Sequence, residues 1–199
     1  MSQQIIISVG REFGSGGHEI AKQLAEKLGL NFYDRSMLDE LAKEKNIQIE
    51  YLEKYDEKPR KLFGSRRVGA YSNSMEEIIA EMQFEYLQEK ANKGESFVIV
   101  GRCAETVLKG VDGLITIFIL GDKKEKIARI MERYQLDEQE AVLKAKRHDK
   151  KRKQYHNYHA EGKWGDSRTY DICVNSSRLG IEKTVDLLKC YVEERIQAL

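Results

Sequence analysis

Two sets of residues in this sequence have types and spacings suited to chemistry. The first is Gly14-Ser15-Gly16-Gly17, a glycine-rich turn between an isoleucine-rich run and a stretch with helical spacing. A turn in that position aims successive backbone N–H groups at an anion, at the positive end of the following helix, and phosphate is the usual occupant. The same glycines would also serve plain close packing of helix on strand. The second set is cationic. Arg102 follows directly on an apolar run, Arg129 and Arg133 stand four residues apart, and seven basic residues crowd into positions 144–153 beside a single acid, Asp149. Phosphoryl transfer asks a protein mainly to position two anionic partners and to neutralise charge on the group that moves, so arginines from separate segments are what it requires. Crowded like charges repel, and an anionic ligand beneath them gives the cluster a reason to exist. The competing structural readings are a carboxylate partner for Arg102 and a solvated helix face for Arg129 and Arg133.

These residues need elements to hold them. Residues 4–9 are apolar without polar alternation, which predicts a strand covered on both faces. After the turn, Ile20, Leu24 and Leu28 recur at helical spacing and Gly29 is the stop signal. Further strands are predicted at 31–34, 97–100, 114–120 and 170–174. Helices are predicted across 36–55 and 75–93, and a charged helical region across 123–157 whose low apolar content implies a projecting cover. Residues 57–74 read as an exposed loop. The final helix places Ile181, Val185, Leu188, Val192 and Ile196 on one stripe. Strands alternating with helices predict an α/β fold with a doubly wound, mostly parallel, five-stranded sheet.

Composition narrows the function class. The chain has 199 residues, 41% hydrophobic and 34% charged, room for one domain with an appendage. No apolar run approaches the ~18 residues that span a bilayer, and no signal segment opens the chain, so a cytoplasmic protein is expected. A net charge of +1 argues against nucleic acid as the main partner, although Trp164 and nearby tyrosines could stack bases. The three cysteines, Cys103, Cys173 and Cys190, are too dispersed for a disulfide framework or a paired-cysteine metal site. His148, His156 and His159 come with no completing ligand set, and no metal centre of the protein's own is expected.

The segment Ile7-Ser8-Val9-Gly10-Arg11-Glu12-Phe13-Gly14-Ser15-Gly16-Gly17-His18-Glu19-Ile20-Ala21 resembles the opening of cytidylate kinase-like proteins, relatives of the nucleoside monophosphate kinases. The likeness continues at Phe32-Tyr33-Asp34-Arg35, at Val98-Ile99-Val100-Gly101-Arg102 and from Tyr170 to Glu182. The resemblance implies a P-loop-type phosphate site at Gly14, Ser15, Gly16, Gly17, His18 and Glu19, with ATP and Mg²⁺ as cofactors and small-molecule nucleotides as partners. It implies acceptor binding by Asp34, Arg35, Arg102 and Asp171, and catalytic roles for Arg129, Arg147 and Arg152, with Asp149 orienting one lid arginine. A strand cap is the structural alternative for Asp171. Asn175-Ser176-Ser177 would form a wall for the adenine of the donor.

The sequence also departs from the family's pattern. Gly17 stands where the usual phosphate loop has lysine, Glu19 stands near the place of the magnesium-binding hydroxyl, and Arg35 replaces a small hydroxyl residue. His18, Arg11 and Lys22 are the local cations that could replace the lysine. The resulting expectation is one P-loop kinase-like domain, with a core of about 1–34, 94–131 and 168–199, a helical acceptor-binding insertion of about 35–93 and a helical lid of about 132–167. It would transfer the γ-phosphoryl group of ATP to a nucleoside monophosphate or another small acceptor. The alternative is a nucleotide-binding regulatory protein that kept the fold and lost turnover.

Overall fold

The computed structural model describes residues 4–46, 48–55, 67–68, 71–72 and 74–198. Its centre is a sheet of five strands: β1 (Ile6–Arg11), β2 (Asn31–Tyr33), β5 (Phe97–Val100), β6 (Leu114–Leu120) and β7 (Ile172–Asn175). They lie in the order β2-β5-β1-β6-β7, and every neighbouring pair is parallel. Both faces of the sheet are covered, which is why β1 shows no polar alternation and even Ser8 is buried. On one face Ile5, Ile7 and Val9 pack with helix α1 (Gly17–Leu28) and helix α8 (Gly180–Gln197) through Ile20, Leu24, Val185 and Leu188. On the other, Ile6, Phe97 and Ile99 pack with α2 (Met37–Lys45), α3 (Ile49–Tyr55) and α4 (Met75–Asn92) through Leu38, Leu52 and Leu87.

Several elements differ from their sequence-based expectation for identifiable reasons. β1 runs past Val9 to Arg11 because Gly10 and Arg11 stay paired with Phe118 and Ile119 of β6. β7 begins at Ile172 rather than 170, after a 3₁₀ turn at Ser167–Thr169. A short helix α5 (Ala104–Val107), which has no periodicity to announce it, follows β5. Most of the expected loop at 57–74 lies outside the described residues; within it β3 (Arg67–Val68) and β4 (Tyr71–Ser72) pair antiparallel.

The charged region at 123–157 is two helices. Helix α6 (Lys123–Tyr134) ends at Gln135 in the left-handed conformation. Helix α7 (Glu138–His159) begins at Asp137, which forms a capping box with Glu140. The expected projecting cover is also corrected: α7 lies against the protein over much of its length. Its small residues Ala141 and Ala145 are buried with Phe13, Ile127 and Ile130. Near its other end, His156 Nε2 meets Glu105 Oε1 at 2.7 Å with both side chains buried. Small residues and polar bonds dock this helix, and hydropathy registers neither. Among the described residues, no helix is long and apolar enough to cross a membrane.

This layering predicts contrasting costs at two leucines. Leu188 is fully buried between α8 and the sheet, so Leu188→Ala should lose about 2–5 kcal/mol in chemical denaturation. Leu143 on α7 is 62% exposed, and Leu143→Ala should stay within about 0.5 kcal/mol of the parent.

Candidate functional site

The glycine-rich turn connects the end of β1 to the start of α1, at the carboxyl edge of the parallel sheet where ligands bind in open α/β folds. Gly14 and Gly16 both adopt positive φ, 82° and 79°. A Cβ on Gly14 would lie 2.8 Å from the Lys126 carbonyl oxygen, and one on Gly17 would lie 2.5 Å from Arg11 Cβ. The packing reading and the phosphate reading of these glycines therefore hold together: the turn is tight because α6 and β1 press on it. Gly16 is the N-cap of α1 and brings no side chain to the first helical turn.

Polar bonds fix the outer shape of the turn. The Ser15 hydroxyl donates to the Glu12 carbonyl at 2.9 Å and accepts from Gly17 N at 3.3 Å. Ser176 Oγ donates to the Ser15 carbonyl at 2.6 Å. Ser15 is thus a buried brace, turned away from the ligand side. Glu12 Oε2 accepts from Lys126 Nζ at 2.8 Å and from Gly121 N at 3.1 Å, and Arg129 Nη1 donates to the Gly14 carbonyl at 2.5 Å. These bonds seat α6 on the turn.

Phe13 seats α7. Its amide donates to Asp149 Oδ1 at 2.7 Å, and its ring stacks on His148 with centroids 4.1 Å apart and planes 6° from parallel. The Arg152 guanidinium sits 5.5 Å from the same ring. Burial pushes the Asp149 carboxyl above its ordinary value, against the pull of the Phe13 amide and of the Lys126 and Arg152 cations. The resemblance implies that Asp149 orients a lid arginine; the structure shows it anchoring α7 to the turn.

Two cavities open around this frame. The first, about 710 Å³, lies over the turn and is lined by Gly14, Gly16, Gly17, His18 and Glu19, with Arg11, Lys22, Arg129, Arg133 and Arg152 as its cations. The second, about 370 Å³, is lined by Asp34, Arg35, Arg102, Glu53, His148 and Lys151. Arg11, Phe13, His18 and Arg152 line both, so the cavities share one wall. Five cationic side chains face two carboxylates in the second. Within it Arg35 pairs with Glu53 at 3.2 Å, and Asp34 pairs with His18 at 2.6 Å. Arg102 is buried, with a positive φ of 60°.

Most of the expected site residues therefore converge, and all three cations named as lysine replacements, Arg11, His18 and Lys22, line the first cavity. Three expected residues do not join them: Ser15, which is buried as the brace of the turn, Arg147 and Asp171. Arg147 is exposed on α7 and lines neither of these cavities. The Asp171 carboxylate accepts from Thr116 N at 2.7 Å and from Thr116 Oγ1 at 2.8 Å, a tie between β6 and the approach to β7, and it too lines neither. Asn175 and Ser177 bond Asp122 at the head of α6 instead of standing free. Sequence reasoning missed Phe13, Glu53, His148 and Lys151 as wall residues. For Phe13 a signal existed, since an aromatic beside a glycine turn has no covering period of its own. Among the described residues, no group of three or more side chains is suited to hold a metal ion.

The turn's geometry yields a direct test of the first cavity. Gly16→Val places a branched side chain at a left-handed position, 3.2 Å from Ile181, beside the expected phosphates. Calorimetry should show Mg-ATP affinity reduced by about tenfold or more, about 1.4 kcal/mol. Unchanged affinity in a folded variant would place the nucleotide elsewhere.

Known proteins share this fold. The crystal structure of an uncharacterized protein from Eubacterium ventriosum ATCC 27560 is 42% identical, covers 96% of this chain and 99% of its own, and has a TM-score of 0.76. Shikimate kinase from Bacteroides thetaiotaomicron shares the fold at 16% identity, over 95% of this chain and 98% of its own, with a TM-score of 0.54. Shikimate kinase from Acinetobacter baumannii, in complex with shikimate, does so at 13% identity, over 97% and 96%, with a TM-score of 0.52. No curated protein matches the sequence. The cytidylate kinase-like family matches residues 6–178, a span that includes the glycine turn, α6, α7 and both cavities, and the chain belongs to that family.

Proposed function

We propose that this protein is a phosphotransferase that moves the γ-phosphoryl group of Mg-ATP to a small acceptor, a nucleoside monophosphate of the cytidylate kind or another small molecule. The observation that carries this reading is the shared wall. A cavity over the glycine turn and a second cationic cavity meet at Arg11, His18 and Arg152. A regulatory nucleotide binder needs the first cavity but has no use for the second.

In this reading the N–H groups at the start of α1 hold the donor's β-phosphate, and Arg11, Lys22, Arg129 and Arg133 supply the charge that the missing lysine would have brought. Arg152, on both cavities, is placed to meet the group in flight. Arg102 and Arg35 hold an anionic group of the acceptor, with Asp34 beside them. Magnesium bound to nucleotide keeps most of its waters and takes one or two protein carboxylates, and Glu19, exposed on the wall of the first cavity beside the glycine turn, would be one to serve. The ion would draw charge from the transferred group. Residues 35–93 serve as the acceptor-binding insertion and 132–167 as the lid, which excludes water from the transfer.

ADP formation from Mg-ATP should be measured with CMP, other nucleoside monophosphates, shikimate and small hydroxyl-bearing sugars and acids. At least one acceptor should support turnover; tight Mg-ATP binding with no transfer to any acceptor would assign the regulatory role instead. With the best acceptor, Arg102→Ala should raise acceptor KM about tenfold or more while ATP KM stays close to the parent's. Arg152→Ala should lower kcat about 10²–10³-fold with little loss of ATP binding.

A further inference from the structure

The pair formed by His18 and Asp34 sits on the wall between the cavities, and neither phosphate binding nor packing explains it. His18 Nε2 lies 2.6 Å from Asp34 Oδ2, and the imidazole is 47% exposed. Asp34 is itself fixed: its Oδ1 accepts from Ser36 N at 2.7 Å. The ring also rests edge-on against Phe32, with centroids 5.5 Å apart. An imidazole held by a carboxylate on one nitrogen and open to a reaction cavity on its other side is the arrangement that activates a nucleophile.

We propose that His18 is the general base of the transfer, positioned by Asp34, and that the nucleophile is the hydroxyl of an anionic small molecule rather than a phosphate oxygen. The inference rests on the phosphotransferase reading and narrows its acceptor. A phosphate acceptor is already an anion and needs no base, whereas a hydroxyl must lose its proton as it attacks. The cationic lining of the second cavity supplies the rest of the specificity, since it favours an acceptor that also carries a carboxylate or phosphate.

The protonation states are consistent with this role. Burial would raise the Asp34 carboxyl, but hydrogen bonds from His18 and Ser36 outweigh it and hold the group below its ordinary value. Asp34 is therefore ionised and accepts from Nε2–H, so that the neutral form of the imidazole carries its lone pair on Nδ1. Charged and titratable groups line these cavities with it from every side: Glu19 and Lys22 on α1, Arg11 on β1, Arg35 beside Asp34, Glu53 on α3, Arg102 after β5, Arg129 and Glu132 on α6, and His148, Lys151 and Arg152 on α7. In the step itself the hydroxyl oxygen bonds to the γ-phosphorus as its proton passes to Nδ1. The bond from phosphorus to the ADP oxygen breaks, its electron pair leaves with ADP, and the imidazolium later releases the proton to solvent.

The test is ADP formation from Mg-ATP against pH, with D-glycerate, glucose 6-phosphate and cytidine as hydroxyl probes, CMP as the phosphate probe, and water as the background acceptor. Turnover with a hydroxyl probe or with water should rise with pH as the base loses its proton. His18→Asn should lower kcat by about 10²–10⁴-fold, remove that limb and keep Mg-ATP affinity. Asp34→Asn should move the limb to lower pH, a shift that a merely structural role would not produce. His148→Asn, which removes the other imidazole of the cavity, should keep the limb where it is. Turnover confined to CMP, or indifferent to His18→Asn, would overturn this inference while leaving a phosphotransferase. A limb that falls with rising pH would do the same, because it would make His18 a phosphate-binding cation. Mg-ATP bound with no ADP from any probe or from water would remove the phosphotransferase reading itself.

Discussion

The rest of the site depends on how little space surrounds the glycine turn. A single Cβ on Gly14 would collide with the backbone of α6, and one on Gly17 with the last residue of β1. Because Gly14 has no side chain, α6 can lie directly on the turn and reach it with Arg129 and Lys126. The cations of α6 are thereby registered to the backbone of the turn. A branched residue at Gly14 would separate helix and turn by more than a hydrogen bond can bridge.

Phe13 carries the same registration one helix further. It presents an amide to Asp149 and a ring face to His148, so α7 is held to the turn by a polar and an aromatic contact together. The buried pair of His156 and Glu105 holds the other end of α7 against α5. Such a pair contributes little net stability after its desolvation cost, but it tolerates few alternative positions of the helix. Its effect here is to set Arg152 on the wall common to both cavities.

The absent lysine is therefore less damaging than it looks in a motif. In the usual phosphate loop one side chain on the first helix neutralises the outer phosphates. Here cations reach the same cavity from β1, α1, α6 and α7. Distributed charge of this kind depends on the helices being in place, which ties charge complementarity to the packing around the turn.

The apolar runs at β1, β5 and β6, the spacing of Ile20 and Leu24, and the stripe of α8 were legible in the sequence because burial on a regular element imposes a period or a continuous run. The family likeness was legible too, since it rides on contiguous segments. The resemblance already placed His18, Arg129 and Arg152 at one site, with Arg11 a candidate cation, whereas the wall shared by two cavities follows from a contact 136 residues away in the chain, where α7 folds onto Phe13. Asp171 shows the opposite case: its type suited a ligand, but a Thr116 amide and hydroxyl reached its carboxylate first. Sequence alone determines which residues can be buried and which can carry charge. Which charge meets which partner was settled by tertiary structure, because hydrogen bonds and ion pairs act over a few ångströms and only the packed fold brings distant residues that close.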